Sequence, residues 1–160
     1  PPRSTLFPYT TLFRSHALRG ILEAEFEVID TAVNGMELIQ KTQELRPDIV
    51  VVDVSMPVIG GLEAVTQLKK TLKDLKVVFL TMHSDIVFAV KAFEAGAKAY
   101  VLKHARPSEL LMAVREAACG NTFVSPALAE QLMDYYQSDP ENWTVVSSSL
   151  RRSYTPVGVG

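Results

Sequence analysis

Three polar side chains, Asp53, Thr81 and Lys103, each directly follow an apolar run of strand length. In open α/β sheets function is located just beyond the carboxyl ends of the strands, so these groups are expected at one edge of a sheet. A carboxylate can act as a nucleophile towards a phosphoryl group and form an acyl phosphate. The ammonium would neutralise the incoming negative charge, and the hydroxyl would donate a hydrogen bond to it. The set therefore indicates phosphoryl chemistry, which commonly uses Mg²⁺.

The elements that position these groups follow from the hydrophobic pattern, which alternates between strand and helix periodicity. We predict strands at 26–33, 49–52, 77–80 and 99–102, and helices at 17–25, 36–45, 62–72, 86–95, 108–118 and 125–136. Continuous β-branched runs such as 49–52 are typical of strands buried on both faces. Strands that alternate with helices over short connections predict an α/β fold, with a parallel sheet covered by helices on both faces.

Composition excludes several classes of protein. The chain has 160 residues, of which 48% are hydrophobic and 21% charged, and its net charge is −2. This balance suits one globular domain and lacks the excess of basic residues that is typical of direct nucleic-acid binding. The single cysteine, Cys119, excludes a disulfide framework within the chain. No apolar run is long enough to span a membrane, so we expect a cytoplasmic protein without a membrane partner.

The motifs around these residues resemble the receiver domain of a bacterial two-component response regulator. They read DVSMP at 53–57, GGLE at 60–63, LTMH at 80–83 and YVLK at 100–103. The stretch GNTFVSPALA at 120–129 resembles the linker of the NarL/FixJ (LuxR-type) subclass, which there leads to a helix-turn-helix DNA-binding domain. The resemblance implies a flavodoxin-like (CheY-like) fold and the function of a transcription regulator rather than an enzyme.

The resemblance also implies a role for each matching residue. Asp53 would be the phosphoacceptor for a sensor histidine kinase, and Ser55 would offer its backbone carbonyl to Mg²⁺. Thr81 would be the switch hydroxyl, Tyr100 its rotamer partner, and Lys103 the ammonium that contacts the phosphoryl group. Phosphorylation would then promote homodimerisation or release of the DNA-binding domain, so DNA would be bound only through an output domain that this chain lacks.

The two ends differ from the middle of the chain. Residues 1–15 (PPRSTLFPYTTLFRS) contain no acid and match, in one reading frame, the translation of a common sequencing-library adapter. We therefore predict a non-native segment at 1–15 and a truncated receiver domain at 16–120. A linker helix towards the missing output domain would follow at 121–137, and an irregular tail at 138–160. On this interpretation the first strand, which is central in the family's sheet, is missing.

The same truncation bears on the metal site. In the family a pair of acidic residues at the end of the first strand holds Mg²⁺, and here that position falls before His16, where the sequence has no Asp or Glu. Asp53 would then be the one carboxylate left of that site. Because Mg²⁺ sites are built from carboxylates, water and phosphate oxygens, we expect weak or lost Mg²⁺ binding, impaired phosphotransfer and a marginally stable fragment.

The sequence leaves two other functions open. One is a phosphate-independent interaction module, a pseudo-receiver in which Asp53 never accepts a phosphoryl group. The other is an aspartyl-phosphate hydrolase, in which a second Asp two positions after the nucleophile acts as acid and base. Ser55 occupies that second position, which disfavours the hydrolase.

Overall fold

Strands and helices alternate along the chain in a computed structural model, which describes residues 4–8, 22–23, 25–54, 59–82 and 85–138, with the backbone alone at 4–8, 27–29 and 31. The strands are β1 (Ser4–Pro8), β2 (Glu27–Ala32), β3 (Ile49–Asp53), β4 (Lys76–Thr81), β5 (Ala99–Leu102) and β6 (Phe123–Val124). The helices are α1 (Gly35–Leu45), α2 (Gly61–Thr71), α3 (Ile86–Glu94), α4 (Pro107–Ala118) and α5 (Pro126–Ser138). Leu22 and Glu23 are also helical, within the helix predicted at 17–25.

The strands form one parallel sheet in the order β2-β1-β3-β4-β5-β6. Its two faces pack against separate apolar clusters, because successive side chains of a strand point to opposite faces. Val50 and Val52 belong to one cluster, and Ile49 and Val51 belong to the other. The predicted flavodoxin-like (CheY-like) fold is thereby confirmed, and so is the burial of β3 on both of its faces.

The central position of the sheet corrects one expectation. The sequence predicts that the first strand is missing, yet β1 occupies its place between β2 and β3. The pairing with β2 contains an irregularity between Thr5 and Leu6, and the pairing with β3 joins only Thr5 to Ile49 and Leu6 to Val50. A parallel sheet needs a partner for the backbone of both neighbours, and these residues supply it from within the segment predicted to be non-native. Whether that segment is native stays a prediction.

The segment after α4 is part of the folded unit. β6 pairs with β5, and α5 buries Leu128, Leu132 and Tyr136 in the cluster that also contains Tyr100. The sequence predicts the helix but not β6, because a strand of two residues has no periodicity to detect. The proposed linker thus begins as an added edge strand and a packed helix.

Helix ends are set by local capping. Asn34 Oδ1 accepts a hydrogen bond from the Glu37 amide (2.8 Å), and Glu37 Oε2 accepts one from the Val33 amide (3.2 Å), which is a capping box at the start of α1. Asp85 caps α3 through the Val87 amide at 2.9 Å.

Within the described part of the chain, no helix has the length and apolar character needed to cross a bilayer.

Candidate functional site

Asp53 is the last residue of β3 and lies at the carboxyl edge of the sheet. Its carboxylate forms an ion pair with the Lys103 ammonium, and the two side chains are only 4% and 5% exposed. Charges removed from water to this degree are stable only when they are paired or hydrogen-bonded. The structure therefore brings together two of the three groups that the sequence places at strand ends.

Strand register brings the third group, Thr81, to the same edge. Asp53 lies opposite Leu80 in the ladder, and the Val54 amide donates to the Leu80 carbonyl at 3.0 Å. Thr81 follows Leu80 at the end of β4, is fully buried, and accepts the Lys103 amide at its carbonyl oxygen (2.7 Å). Because β3, β4 and β5 are parallel neighbours, their ends present the carboxylate, the hydroxyl and the ammonium on adjacent strands.

A glycine allows α2 to begin directly beside the carboxylate-bearing residue. The Gly61 amide donates to the Val54 carbonyl at 3.2 Å, which fixes the first turn of α2 against the end of β3. A Cβ atom at position 61 would lie 2.1 Å from the Asp53 carbonyl oxygen and 2.8 Å from Val52 Cγ1. Since backbone and a buried side chain cannot move aside cheaply, only glycine fits here.

Tyr100 lies inside β5 and is fully buried. Burial raises the pKa of its phenol, and the nearby Thr81 hydroxyl partly offsets that rise. Its hydroxyl has no hydrogen bond of good geometry to the described residues. The phenol is therefore held neutral next to the residue with which the resemblance pairs it, and its role in switching stays a prediction.

The described residues supply few ligands for a metal ion. They contain no group of three or more His, Cys, Asp or Glu side chains close enough to hold one. At this edge of the sheet the carboxylate described by the structure is that of Asp53, and it is already paired with the Lys103 ammonium. Ser55, whose carbonyl the resemblance assigns to Mg²⁺, lies outside the described residues. The described residues at this edge thus fit Mg²⁺ poorly.

The structure reveals one contact that the sequence analysis does not anticipate. Ser125 precedes α5, where Ser-Pro is a common signature of a helix start. Its hydroxyl instead accepts the Leu102 amide at 3.1 Å and lies 3.3 Å from Glu109 Oε2. A sequence pattern reports a local cap, and it holds no signal for a partner that lies 23 residues earlier in the chain.

Comparison with known proteins identifies the family. The sequence profile of the response regulator receiver domain matches residues 12–115. The chain belongs to the response regulator receiver family. The match begins before His16, inside the segment predicted to be non-native, so the boundary at residue 15 stays a prediction.

Individual relatives agree with this assignment of the receiver domain. Response regulator GacA of Pseudomonas viridiflava is 40% identical over 106 residues, which is 66% of this chain and 50% of that protein. Oxygen regulatory protein NreC of Staphylococcus epidermidis is 34% identical over 128 residues, or 79% of this chain and 59% of that protein. The chain therefore spans only about half to three-fifths of the length of these relatives.

Solved structures give the same result. A LuxR-family two-component response regulator from Aurantimonas is 31% identical, with a TM-score of 0.77, over 85% of this chain and 98% of that one. The isolated receiver domain of RcsB from Salmonella enterica has a TM-score of 0.74 at 19% identity, over 82% of this chain and 99% of that one, which supports the fold alone. Together with GacA and NreC, the LuxR-family structure supports a receiver domain of the NarL/FixJ type, consistent with transcription regulation.

Proposed function

We propose that this chain is the phosphoacceptor part of a two-component transcription regulator and that Asp53 accepts the phosphoryl group. The observation that supports it most is the buried ion pair between Asp53 and Lys103 at the carboxyl edge of a receiver fold. A structural ion pair alone would not need Thr81 on the intervening strand, whereas a phosphoryl site uses all three groups.

The chemistry follows from these three side chains. A carboxylate oxygen of Asp53 forms a bond to phosphorus while the bond between phosphorus and the donor breaks, which leaves an acyl phosphate. The Lys103 ammonium then exchanges part of its contact with the carboxylate for a contact with the added phosphoryl oxygens. The Thr81 hydroxyl donates a hydrogen bond to the same oxygens, and Tyr100 follows any movement of Thr81.

The partners belong to the same proposal. Receiver family membership supports a sensor histidine kinase as the donor, and homodimerisation as one consequence of phosphorylation. DNA would be contacted by an output domain of the longer protein, since the relatives matched are about twice the length of the aligned region. The chain itself would act as a regulator and not as an enzyme.

Weak Mg²⁺ binding is the second part of the proposal. Receiver domains generally bind Mg²⁺, and a solved receiver homologue, CheY of Borrelia burgdorferi, is described in a complex with CheX, BeF₃ and Mg²⁺. Here the residues at 4–8, which fill the place of the first strand, contain no carboxylate. A site with one carboxylate holds Mg²⁺ less tightly than one with two or three, so phosphorylation should need a raised metal concentration.

A small phosphodonor tests both parts directly. The full chain is incubated with acetyl phosphate over a series of Mg²⁺ concentrations, and the phosphorylated fraction is read by intact mass, with Asp53→Asn as the control. We expect slow phosphorylation that depends on Asp53 and rises with Mg²⁺ into the millimolar range and beyond. An adduct that forms equally in Asp53→Asn would overturn the assignment of the phosphoacceptor. Saturation at low Mg²⁺ would overturn the weakened metal site.

The same assay addresses the pseudo-receiver, which is favoured by the scarcity of metal ligands in the part of the chain that the structure describes. A chain of that kind would keep its fold and gain no phosphoryl group at any Mg²⁺ concentration. Beryllofluoride, which mimics the phosphoryl group without covalent transfer, would then also fail to change the amide spectrum around Thr81 and Lys103.

A further inference from the structure

The connection between the receiver domain and α5 is made by one buried serine. Ser125 is 1% exposed, and its backbone amide donates to the Tyr100 carbonyl at 3.1 Å. Its hydroxyl accepts the Leu102 amide at 3.1 Å and donates to Glu109 Oε2 at 3.3 Å. One residue therefore joins the last strand of the site, the first turn of α4 and the start of α5.

The ordinary explanation of a serine before Pro126 is that it caps a helix. A capping side chain accepts a hydrogen bond from an amide in the first turn of its own helix. The backbone carbonyl of Ser125 accepts the Leu128 amide at 2.8 Å and the Ala129 amide at 3.1 Å, as at the start of an ordinary helix. The hydroxyl is directed to β5 instead, so its contact is not explained by capping.

The hydrogen bond between the Ser125 hydroxyl and the Leu102 amide lies directly beside the candidate site. The Leu102 amide precedes Lys103 by one residue, and Lys103 holds the Asp53 carboxylate. The peptide between Leu102 and Lys103 is itself held at two points, by the Lys103 amide, which donates to the Thr81 carbonyl at 2.7 Å, and by the Leu102 carbonyl, which accepts the Ala105 amide at 3.0 Å. Loss of the Ser125 hydroxyl would leave the buried Leu102 amide without its acceptor and so loosen the end of β5 one residue before Lys103.

We propose that Ser125 is a positioning residue for Lys103, and that through it the attachment of α5 is coupled to the geometry at Asp53. This inference rests on the proposed function only in so far as the Lys103–Asp53 pair serves phosphorylation. Such coupling is reciprocal, so a change that moves the Lys103 side chain also weakens the attachment of α5 at Ser125. The residue that follows the receiver domain in sequence is thus a component of its site.

Chemical protection of lysines tests the proposal without any phosphodonor. The full-length chain is acetylated with a limiting amine-reactive ester, and the rate at each lysine is followed by peptide mass spectrometry. Lys103 is nearly buried and should react slowly, and exposed Lys70 should react fast. Lys76 lies at the start of β4, at the edge of the sheet opposite the site, and its ammonium donates to the Ala118 carbonyl at 2.9 Å. Its reaction therefore reports opening of the whole fold.

In Ser125→Ala we expect the reaction of Lys103 to accelerate about five- to thirtyfold, the effect of losing one or two buried hydrogen bonds, with Lys76 unchanged. Ser125→Thr keeps the hydroxyl and should restore slow reaction, and Ser108→Ala, at an exposed position of α4, is the matched control. Glu109→Ala removes the acceptor of the hydroxyl proton at a less buried position, and should accelerate Lys103 in the same direction even if Ser125→Ala does not fold.

Two results would overturn the proposal. One is unchanged protection of Lys103 in both Ser125→Ala and Glu109→Ala. The other is an equal acceleration of Lys76 and Lys103, which would show that Ser125 only stabilises the fold. Neither depends on phosphorylation, so a chain that fails to accept phosphate while Lys103 responds as expected would count against the proposed function alone.

Discussion

At the scale of single residues, the site is dominated by the cost of keeping a carboxylate out of water. Asp53 is 3% exposed, and Lys103 supplies the cation that compensates it. Removing one partner of such a pair is much more damaging than removing both, because the remaining charge stays buried. The pair therefore links the stability of the sheet edge to its chemistry.

Lys103→Met tests this link. We expect it to lower the free energy of unfolding by about 3–5 kcal/mol, since the Asp53 charge loses the ammonium beside it. The double variant Asp53→Asn/Lys103→Met should lose clearly less than the sum of the two single variants. Urea unfolding of the four chains measures the coupling, and strict additivity would show that the two side chains do not stabilise each other.

Tyr136 gives a pH-dependent prediction at the same scale. Burial raises the pKa of its phenol to about 12, from an ordinary value of 10.0, and the hydroxyl has no hydrogen bond to the described residues. The unfolded chain loses this proton near pH 10 and the folded chain only near pH 12. The contribution is therefore fully present below pH 10 and is lost as the pH rises, by about 2 kcal/mol.

Tyr136→Phe should flatten this alkaline loss and be at least as stable as the parent at neutral pH, because it removes a buried hydroxyl that has no hydrogen-bond partner among the described residues. Chemical unfolding at a series of pH values between 7 and 12 gives the comparison. Tyr135→Phe is the comparison variant: this residue is 37% exposed and its ring packs edge-on against Tyr136, and because burial is the main cause of the raised Tyr136 pKa, most of the alkaline loss should remain in it. An unchanged alkaline limb in Tyr136→Phe would contradict the assignment to this phenol.

At the scale of elements, the hydrophobic pattern predicts most of the architecture, because strands buried on both faces and helices with one apolar face leave distinct periods. The residues at 49–52 and 99–102 lie in β3 and β5 as predicted. β1 is not predicted, because Ser4–Pro8 carries no strand pattern and its pairing depends on two distant strands. The alignment of Asp53, Thr81 and Lys103 follows from the strand ends, whereas the contact of Ser125 with Leu102 depends on packing.

The junction between β3 and α2 supports a prediction about two adjacent glycines. Gly61→Ala places a Cβ atom 2.1 Å from the Asp53 carbonyl oxygen, so we expect a loss of about 1–3 kcal/mol and a displaced carboxylate. Among the described residues, a Cβ atom in Gly60→Ala meets the Val54 carbonyl oxygen at 3.9 Å and nothing nearer, so this change should be neutral or slightly stabilising. Thermal unfolding of the two variants decides the matter, and equal midpoints would show that α2 can shift away.

At the scale of the whole molecule, α5 completes the apolar cluster on one face of the sheet. Leu128, Leu132 and Tyr136 are each no more than 1% exposed. Large side chains buried to this extent contribute roughly 1.5–3 kcal/mol each, which together approaches the net stability of an ordinary domain. The receiver fold and its linker are therefore expected to unfold as one unit.

Truncation distinguishes this view from that of an independent linker. A chain that ends after residue 122 lacks β6 and α5, and we expect it to bind a hydrophobic dye and to lose its cooperative unfolding transition. A chain that ends after residue 138 keeps both elements and should retain the midpoint of the full chain. Equal stability of the two truncated chains would mean that α5 adds nothing to the core.

Neighbouring strands of the sheet differ in how many residues they pair. β3 and β4 share five residue pairs, whereas β1 meets β3 over two. β5 meets β6 over two residues as well, but β6 is also held through Ser125 and the packed helix α5. Because fewer hydrogen bonds are lost where fewer residues pair, we expect the pairing between β1 and β3 to open first. The amides of β2 should then exchange with deuterium before those of β4. A protease should likewise cleave the amino-terminal third of the chain while the half that carries Thr81 and Lys103 is still folded.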